Sequence, residues 1–110
     1  MSVAVVILAH ERLDRVAQTV RALLAQEARV VVHVDARAGR RAIRAFRAAC
    51  GSHPGLRLAR PRRCEWGMFS IVRATQDAAR LALDSWPEVG HVCLMSGACL
   101  PIRPVADLRA

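Results

Sequence analysis

With 110 residues, of which 54% are hydrophobic, the chain has room for one small domain with a single core. Two Trp, two Phe and no Tyr leave that core to aliphatic side chains. The formal net charge is +8 and all 17 basic residues are Arg, which is compatible with an anionic ligand. The same richness in Arg and Ala is typical of GC-rich codon usage, so charge alone does not indicate a nucleic-acid partner.

The first half of the chain reads as strand, helix and strand. Residues 3–9 are a continuous apolar run rich in β-branched residues, which predicts a strand buried on both faces of a parallel sheet. The run is too short to span a bilayer and lacks the basic flank of a signal peptide, so a cytoplasmic location, or one peripheral to a membrane, is expected. A helix follows, because apolar residues recur at helical spacing at Leu13, Val16, Ala17, Val20, Leu23 and Leu24. Residues 29–34 form a second apolar strand that stops at Asp35.

The second half continues the alternation. Residues 39–50 predict a helix with Ile43, Phe46 and Arg47 as candidates for its inner side, and residues 56–59 predict a short strand. Ser70 is a candidate N-cap for a third helix. The expected inner stripe of that helix is Val72, Thr75, Ala79, Ala82 and Trp86. Residues 91–95 predict a further strand.

This order predicts an α/β fold in which helices flank a mostly parallel sheet. Residues 105–110 resemble the start of a helix, and a four-strand sheet of this kind leaves its edges unprotected. We therefore expect residues 1–110 to be the first portion of a longer, here incomplete, domain. Ligands of open α/β sheets bind at the carboxyl ends of the strands, so residues at those ends are the candidates for a site.

Several enzyme classes are excluded by missing motifs. The first strand is followed by His10 without a glycine-rich turn, which argues against a dinucleotide-binding enzyme of the usual fingerprint. Neither a P-loop nor the Gly-x-Ser-x-Gly elbow of α/β-hydrolases occurs. The cysteines lack C-x-x-C spacing, and reduced thiols are expected because nothing in the sequence reads as a signal peptide. His91, Cys93 and Cys99 do not complete a tetrahedral metal site.

Polar residues at the first two strand ends admit a functional and a structural interpretation each. Asp35 suits hydrogen bonds from ribose hydroxyls or a nucleobase, or it caps the following turn. Arg37 suits stacking on a base, pairing with Asp35, or simple solvation. His10 suits a ligand contact or a hydrogen bond that fixes its loop. His33 lies inside the second strand, where a core histidine with a satisfied hydrogen bond is the simpler interpretation.

Two further pairs and two groups of arginines complete the candidates. The indole of Trp66 beside Gly67 suits the wall of a pocket for a flat ring, or a plug of the core. Ser96 and Gly97 offer a hydroxyl beside open backbone, or an ordinary strand-to-loop turn. One arginine group predicts a solvated helix face: Arg37, Arg40, Arg44 and Arg47. The other crowds a loop and would attract phosphate: Arg57, Arg60, Arg62 and Arg63.

Four ordered blocks of this sequence resemble the amino-terminal half of the core-2/I-branching glycosyltransferase family. The blocks are residues 7–10, 33–37, 66–74 and 96–102. The family includes β-1,6-N-acetylglucosaminyltransferases and peptide O-xylosyltransferases. The resemblance implies a GT-A-like, that is Rossmann-like, nucleotide-sugar fold. It also implies inverting transfer of N-acetylglucosamine or xylose from a UDP-sugar to a hydroxyl of a glycan or protein acceptor, with a carboxylate base and without a metal cofactor.

The resemblance also implies roles for individual residues. The nucleotide-binding positions are His10, Asp35, Arg37, Trp66 and Gly67, with Asp35 at the uridine. The positions near the donor sugar are Ser96, Gly97 and Cys99. The family commonly carries an acidic residue where Cys99 stands. Its general base and its diphosphate-binding basic residues come from later sequence, so this chain is expected to carry only the donor-nucleotide side.

Two alternatives of other classes remain open at this point. The chain is also interpretable as a small basic α/β module that binds nucleic acid or a partner protein without chemistry, or as an inactive truncated product. Salt dependence separates the first of these from a transferase. Nucleic-acid binding driven by counterion release weakens steeply with salt, whereas selective UDP binding does not.

Overall fold

The computed structural model describes residues 2–64 and 69–96. Strands and helices alternate through these residues in the order β1 (Ser2–Ala9), α1 (Leu13–Ala25), β2 (Arg29–Val34), α2 (Arg40–Cys50), β3 (Leu56–Leu58), α3 (Phe69–Ser85) and β4 (Val89–Ser96). A short 3-10 turn, Ala36–Ala38, separates β2 from α2. All the predicted elements within the described residues are confirmed, and β4 begins at Val89 rather than at residue 91.

The described strands form one parallel sheet in the order β3-β2-β1-β4. Every neighbouring pair is parallel, which confirms the predicted α/β class. β1 lies inside the sheet, with Ile7 opposite Val32 of β2 on one side and Met95 of β4 on the other. Because the strands share one direction, all their carboxyl ends meet at one edge of the sheet.

Two hydrophobic cores cover the two faces of this sheet. Successive strand side chains point to opposite faces, so β1 and β2 each contribute to both cores. The core toward α1 and α2 includes Val5, Ile7, Val20, Leu23, Val32 and Phe46. The core toward α3 includes Ala4, Val6, Val31, Ala78, Ala82 and Trp86. Full burial of each valine contributes about 1.5–3 kcal/mol, so the strands anchor the fold that carries the sheet edge.

The inner face of α3 differs from the predicted stripe. Its fully buried residues are Ala74, Ala78 and Ala82, which follow one another at four-residue spacing. Val72 was expected inside but is 45% exposed. Small alanine side chains let the helix axis approach the sheet closely, and this register turns the bulkier Val72 outward.

Two smaller predictions about the helices are wrong. Ser70 does not cap α3, because the helix already includes Phe69 and Ser70 is therefore within it. Arg47 does not lie on the inner side of α2, since it is exposed while Phe46 is buried. The narrow buried stripe of α2 favours one aromatic side chain, and a guanidinium gains more from water than from an apolar core.

Trp86 organises the amino edge of the sheet, opposite the carboxyl edge. Its indole Nε1–H donates to the carbonyl of Pro54 at 3.2 Å. The guanidinium carbons of Arg57 and Arg29 lie 5.2 and 5.9 Å from the ring centroid, within cation–π range. These contacts tie the starts of β2, β3 and β4 together, far from the strand ends at which the candidate site lies.

Candidate functional site

The carboxyl edge of the sheet brings three of the predicted site residues together. Ala9 at the end of β1 pairs with Val34 at the end of β2, and Leu8 pairs with Ser96 at the end of β4. His10 and Asp35 therefore follow two adjacent strands, and Ser96 closes the third. The N–H of Asp35 donates to the carbonyl of Ala9 at 2.8 Å, which continues the ladder up to the site itself.

Asp35 is the centre of this arrangement. Its residue surface is only 3% exposed. The main-chain N–H of Arg37 donates to Oδ1 at 2.9 Å, so the carboxylate caps the 3-10 turn. The guanidinium of Arg37 grips the same carboxylate, with Nη2 at 2.9 Å from Oδ2 and Nε at 3.2 and 3.3 Å from the two oxygens. The sequence offered two structural roles here, capping of the turn by Asp35 and pairing of Arg37 with Asp35, and the structure shows both.

The carboxylate of Asp35 is held in its charged form. Burial alone would raise the pKa, but hydrogen bonds from the Arg37 side chain, the Arg37 main chain and the Cys64 main chain outweigh it. The pKa of Asp35 therefore lies below its ordinary value, and the group is an anion at neutral pH. A buried, ionised acceptor at a strand end can bind hydroxyl or N–H donors of a ligand.

A glycine lets the chain leave this site in the required direction. Gly39 follows the 3-10 turn and precedes α2, with φ 90° and ψ 154°. This backbone region is almost confined to glycine, because a Cβ would meet its own backbone. The Asp35–Arg37 pair is thus fixed between the end of β2 and a turn that another residue would strain.

The loop after β3 lies over the end of β2. The N–H of Ala59 donates to the carbonyl of Val32 at 2.9 Å, and the N–H of Ala36 donates to the carbonyl of Arg62 at 3.0 Å. The main-chain N–H of Arg62 donates to Nε2 of His33 at 3.0 Å. Together with the Cys64 N–H on Asp35, these bonds hold the loop against the candidate site.

His33 is a core histidine with a partner, as the simpler interpretation predicted. It is 2% exposed, and its Nε2 accepts the Arg62 N–H. Burial lowers its pKa, with opposing contributions from the carboxylates of Asp35 and Asp77. The imidazole is therefore neutral at neutral pH. A lone histidine among valines signals that a partner is needed, but the sequence does not identify a main-chain group 29 residues away.

The arginines near the site divide by their contacts. Arg62 pairs with Asp77 of α3, with Nε 2.7 Å from Oδ2. The guanidinium of Arg57 donates to the carbonyls of Pro54 and Leu56 and lies over the ring of Trp86 at the amino edge. Arg60 and Arg63 are exposed and have no hydrogen bond or ion pair to another residue in 2–64 or 69–96. Two guanidinium groups therefore remain available to an anion in the loop after β3.

The remaining predicted site residues are only partly placed. The side chain of His10 is 71% exposed and its Nε2 lies 3.6 Å from Oε1 of Glu11, a weak surface contact. Ser96 is exposed at the end of β4. The predictions for Trp66, Gly67, Gly97 and Cys99 fall outside the described residues.

Cys50, Cys64 and Cys93 are free thiols, and burial raises the pKa of Cys50 and Cys64. Within residues 2–64 and 69–96, no group of three His, Cys, Asp or Glu side chains is placed to hold a metal ion. In the same part of the chain, no helix combines the length and the apolarity needed to cross a membrane.

Comparison with known proteins gives one match. The model of the family described as Core-2/I-Branching enzyme matches residues 3–110, which is almost the whole chain. No curated protein and no solved structure matches. The family match covers β1, the Asp35 turn, the loop over His33 and β4.

Proposed function

Because this chain belongs to the family of core-2/I-branching enzymes, which are glycosyltransferases, we propose that its carboxyl edge binds the UDP portion of a sugar donor. The family implies a nucleotide-sugar donor and a glycan acceptor in general. Within that reaction type, we propose transfer of N-acetylglucosamine or xylose to a hydroxyl of a glycan or protein. Residues 1–110 would supply the donor-nucleotide side of the transferase domain.

The observation that carries this proposal is the buried, ionised carboxylate of Asp35 at the end of β2. Ligands of parallel α/β sheets bind at this edge, and a carboxylate there accepts hydrogen bonds from ribose hydroxyls or from the uracil N–H. Hydrogen bonds to a charged acceptor are among the stronger ones, at about 1.5–3 kcal/mol each. Asp35 is therefore the residue on which nucleoside affinity should depend most.

Nucleoside binding at Asp35 requires an exchange of partners. Arg37 donates to the carboxylate through its main-chain N–H, its Nε–H and its Nη2–H, and Cys64 contributes a further main-chain N–H. These donors occupy the acceptor positions of a carboxylate. The Arg37 side chain is 48% exposed, so its guanidinium has room to leave. We propose that it moves from Asp35 toward the diphosphate when the nucleoside takes its place, while the Arg37 N–H stays.

The other site residues take the roles that the family resemblance implies. Trp66 and Gly67 would form the wall beside the base, and His10 would lie at the nucleotide beside Asp35. The residues near the donor sugar would be Ser96, Gly97 and Cys99. These six assignments rest on the resemblance of these positions to those of the family, and substitution of each residue tests its assignment separately.

In the proposed reaction, the acceptor hydroxyl oxygen attacks the anomeric carbon while the bond from that carbon to UDP breaks. Attack opposite the leaving group inverts the configuration, and the hydroxyl proton passes to a carboxylate base. No residue among 1–110 is assigned as that base. We propose that the diphosphate is neutralised by basic side chains rather than by a metal ion. Arg60 and Arg63 are the candidates that this chain adds to the basic residues that the family supplies from later sequence, because both are exposed in the loop beside the site.

A thermal-shift titration tests the proposed function. A ligand that binds only the folded state stabilises it by about 2.7 kcal/mol at a hundredfold excess over its Kd. We expect UDP and UDP-N-acetylglucosamine to raise the melting temperature and ADP to leave it unchanged. A response to ADP equal to that to UDP would contradict a uridine site. A response only to nucleic acid, lost at high salt, would support the basic binding module instead.

A further inference from the structure

The main chain of Arg62 is hydrogen-bonded through both its N–H and its carbonyl, to His33 in β2 and to Ala36 in the 3-10 turn that follows. Its N–H donates to Nε2 of His33 at 3.0 Å, and its carbonyl accepts the N–H of Ala36 at 3.0 Å. Two residues further on, the Cys64 N–H reaches the carboxylate of Asp35. The segment 60–64, here called the β3 loop, therefore reaches the candidate site through main-chain bonds, and it leads directly into residues 65–68.

One of these bonds depends on the protonation state of a side chain. A neutral imidazole has one nitrogen that accepts a hydrogen bond, whereas both nitrogens of a protonated imidazole are donors. Nε2 of His33 faces an N–H, so protonation at this atom replaces an acceptor by a second donor. The other bonds of the β3 loop have carbonyl or carboxylate acceptors and do not change over the pH range in which histidines titrate.

We propose that His33 and Arg62 form a proton-sensitive latch that holds the β3 loop over Asp35 only while His33 is neutral. This makes His33 a positioning residue that acts on the nucleotide through the loop, and that part of the inference rests on the proposed UDP site. When the latch opens, the Cys64 N–H is released from Asp35 and the approach to residues 65–68 is no longer fixed. Nucleotide affinity then falls.

The surroundings of His33 set the pH range of the latch. Burial disfavours the charged imidazole, and the guanidinium of Arg62 acts in the same direction. The carboxylates of Asp35, which follows β2, and Asp77, on α3, act in the opposite direction. In the open state the imidazole meets water and its pKa returns toward 6.5. Acid therefore favours the open state, beginning as the pH falls below that value.

Amide hydrogen exchange measured by NMR tests the latch without any nucleotide. Protection factors corrected for intrinsic exchange should fall for Arg62 and Ala36 by about tenfold for each pH unit below the ordinary histidine pKa, until the latched pKa is reached. The amide of Ala59, the residue just before the β3 loop, is the internal control, because it donates to the carbonyl of Val32 in β2 and needs no histidine. Equal pH dependence at Ala59 and Arg62, or none at Arg62, would overturn the latch.

Three variants separate the latch from a general loss of packing. His33→Gln keeps an acceptor that does not titrate, so Arg62 protection should become independent of pH. His33→Leu removes the acceptor and should leave Arg62 unprotected at all pH values while Ala59 stays protected. Arg62→Ala removes the ion pair with Asp77 but keeps both main-chain bonds, so the pH response should persist. A wild-type pH response in His33→Gln would overturn the inference.

Affinity for UDP-N-acetylglucosamine completes the test, because its diphosphate diester does not titrate in this range. Between neutral pH and a pH one unit below that at which Arg62 exchange shows the latch half open, we expect the Kd to weaken by about tenfold in the wild type and to stay constant for His33→Gln. A Kd that is the same at both pH values in the wild type, with Arg62 exchange still responding, would overturn the coupling to the site. Absence of nucleotide binding at every pH would overturn the proposed function, while exchange would still decide the latch.

Discussion

The carboxylate of Asp35 is bound by both the main-chain N–H and the guanidinium of Arg37, two residues later, at 2.9 Å each. The pair sits at the end of β2 with the carboxylate buried and the arginine half exposed. The carboxylate is therefore enclosed by protein, whereas its guanidinium partner also faces solvent.

Asp35→Asn should weaken UDP binding by about tenfold to a hundredfold, the equivalent of one hydrogen bond to a charged acceptor. Asparagine keeps the acceptor oxygen that caps the turn, so the fold should survive. Isothermal titration calorimetry with UDP measures the change.

The matched control is Trp86→Phe at the opposite edge. It removes the bond to Pro54 and weakens the contacts with Arg57 and Arg29, which should lower the free energy of unfolding by about 1–3 kcal/mol. UDP affinity should not change. Equal losses of affinity in both variants would mean that Asp35 acts through stability alone.

Stability should rise with pH across two separate ranges. The pKa of His33 is lowered on folding, so the unfolded chain binds more protons than the folded one below 6.5, and stability is lost as the pH falls below that value. The pKa of Asp35 is also lowered, so its contribution is present above 3.8 and is lost as the pH falls through the folded-state pKa. Urea unfolding of the wild type and of His33→Gln at a series of pH values measures this. The slope just below 6.5 should disappear in His33→Gln, and persistence of the full slope would assign it to another group.

Gly39→Ala and Gly51→Ala form a second matched pair. Both glycines have a positive φ, at 90° and 71°, and neither would bring an added Cβ within 4 Å of another residue. Each substitution should therefore cost about 1–3 kcal/mol of stability through backbone strain alone. Gly39 adjoins the turn that carries Arg37, whereas Gly51 lies at the far end of α2. UDP affinity should fall in Gly39→Ala only, and an equal fall in Gly51→Ala would contradict the placement of the site.

Metal removal should leave nucleotide binding intact. The affinity for UDP measured with excess EDTA should agree within about twofold with that measured with magnesium or manganese, because basic side chains are proposed to carry the diphosphate. Double substitution of Arg60 and Arg63 by Gln should weaken UDP binding but not uridine binding. A strong gain of UDP affinity on adding either metal would contradict the metal-independent site.

Much of this fold is predictable because its strands are continuous apolar runs. The bounds of β2 agree with prediction at both ends, since a polar Asp follows five buried residues. The buried face of α3 is harder to predict from the sequence, because valine is more hydrophobic than alanine and yet Val72 is exposed while the alanines are buried. Close packing of a helix on a sheet selects small side chains, and that depends on tertiary distance rather than on sequence.

The site was predictable in position but not in its connections. A carboxylate at a strand end identified Asp35, and the pairing with Arg37 is local enough to be foreseen. The bond from the Arg62 main chain to His33 depends on the path of a loop whose donor lies 29 residues later in the sequence, where no side chain signals the contact. Every residue except proline has the same main-chain N–H, so the sequence does not show which one will donate to a buried side chain.

The most direct test of the central claim is a two-dimensional amide NMR titration of the chain with UDP. We expect UDP to shift the amide signals of Asp35, Arg37 and Ser96 at the carboxyl edge and to leave those of Arg57 and Val89, toward the amino edge, in place. Shifts confined to the amino edge or to the arginine face of α2, with Asp35 unmoved, would contradict the account.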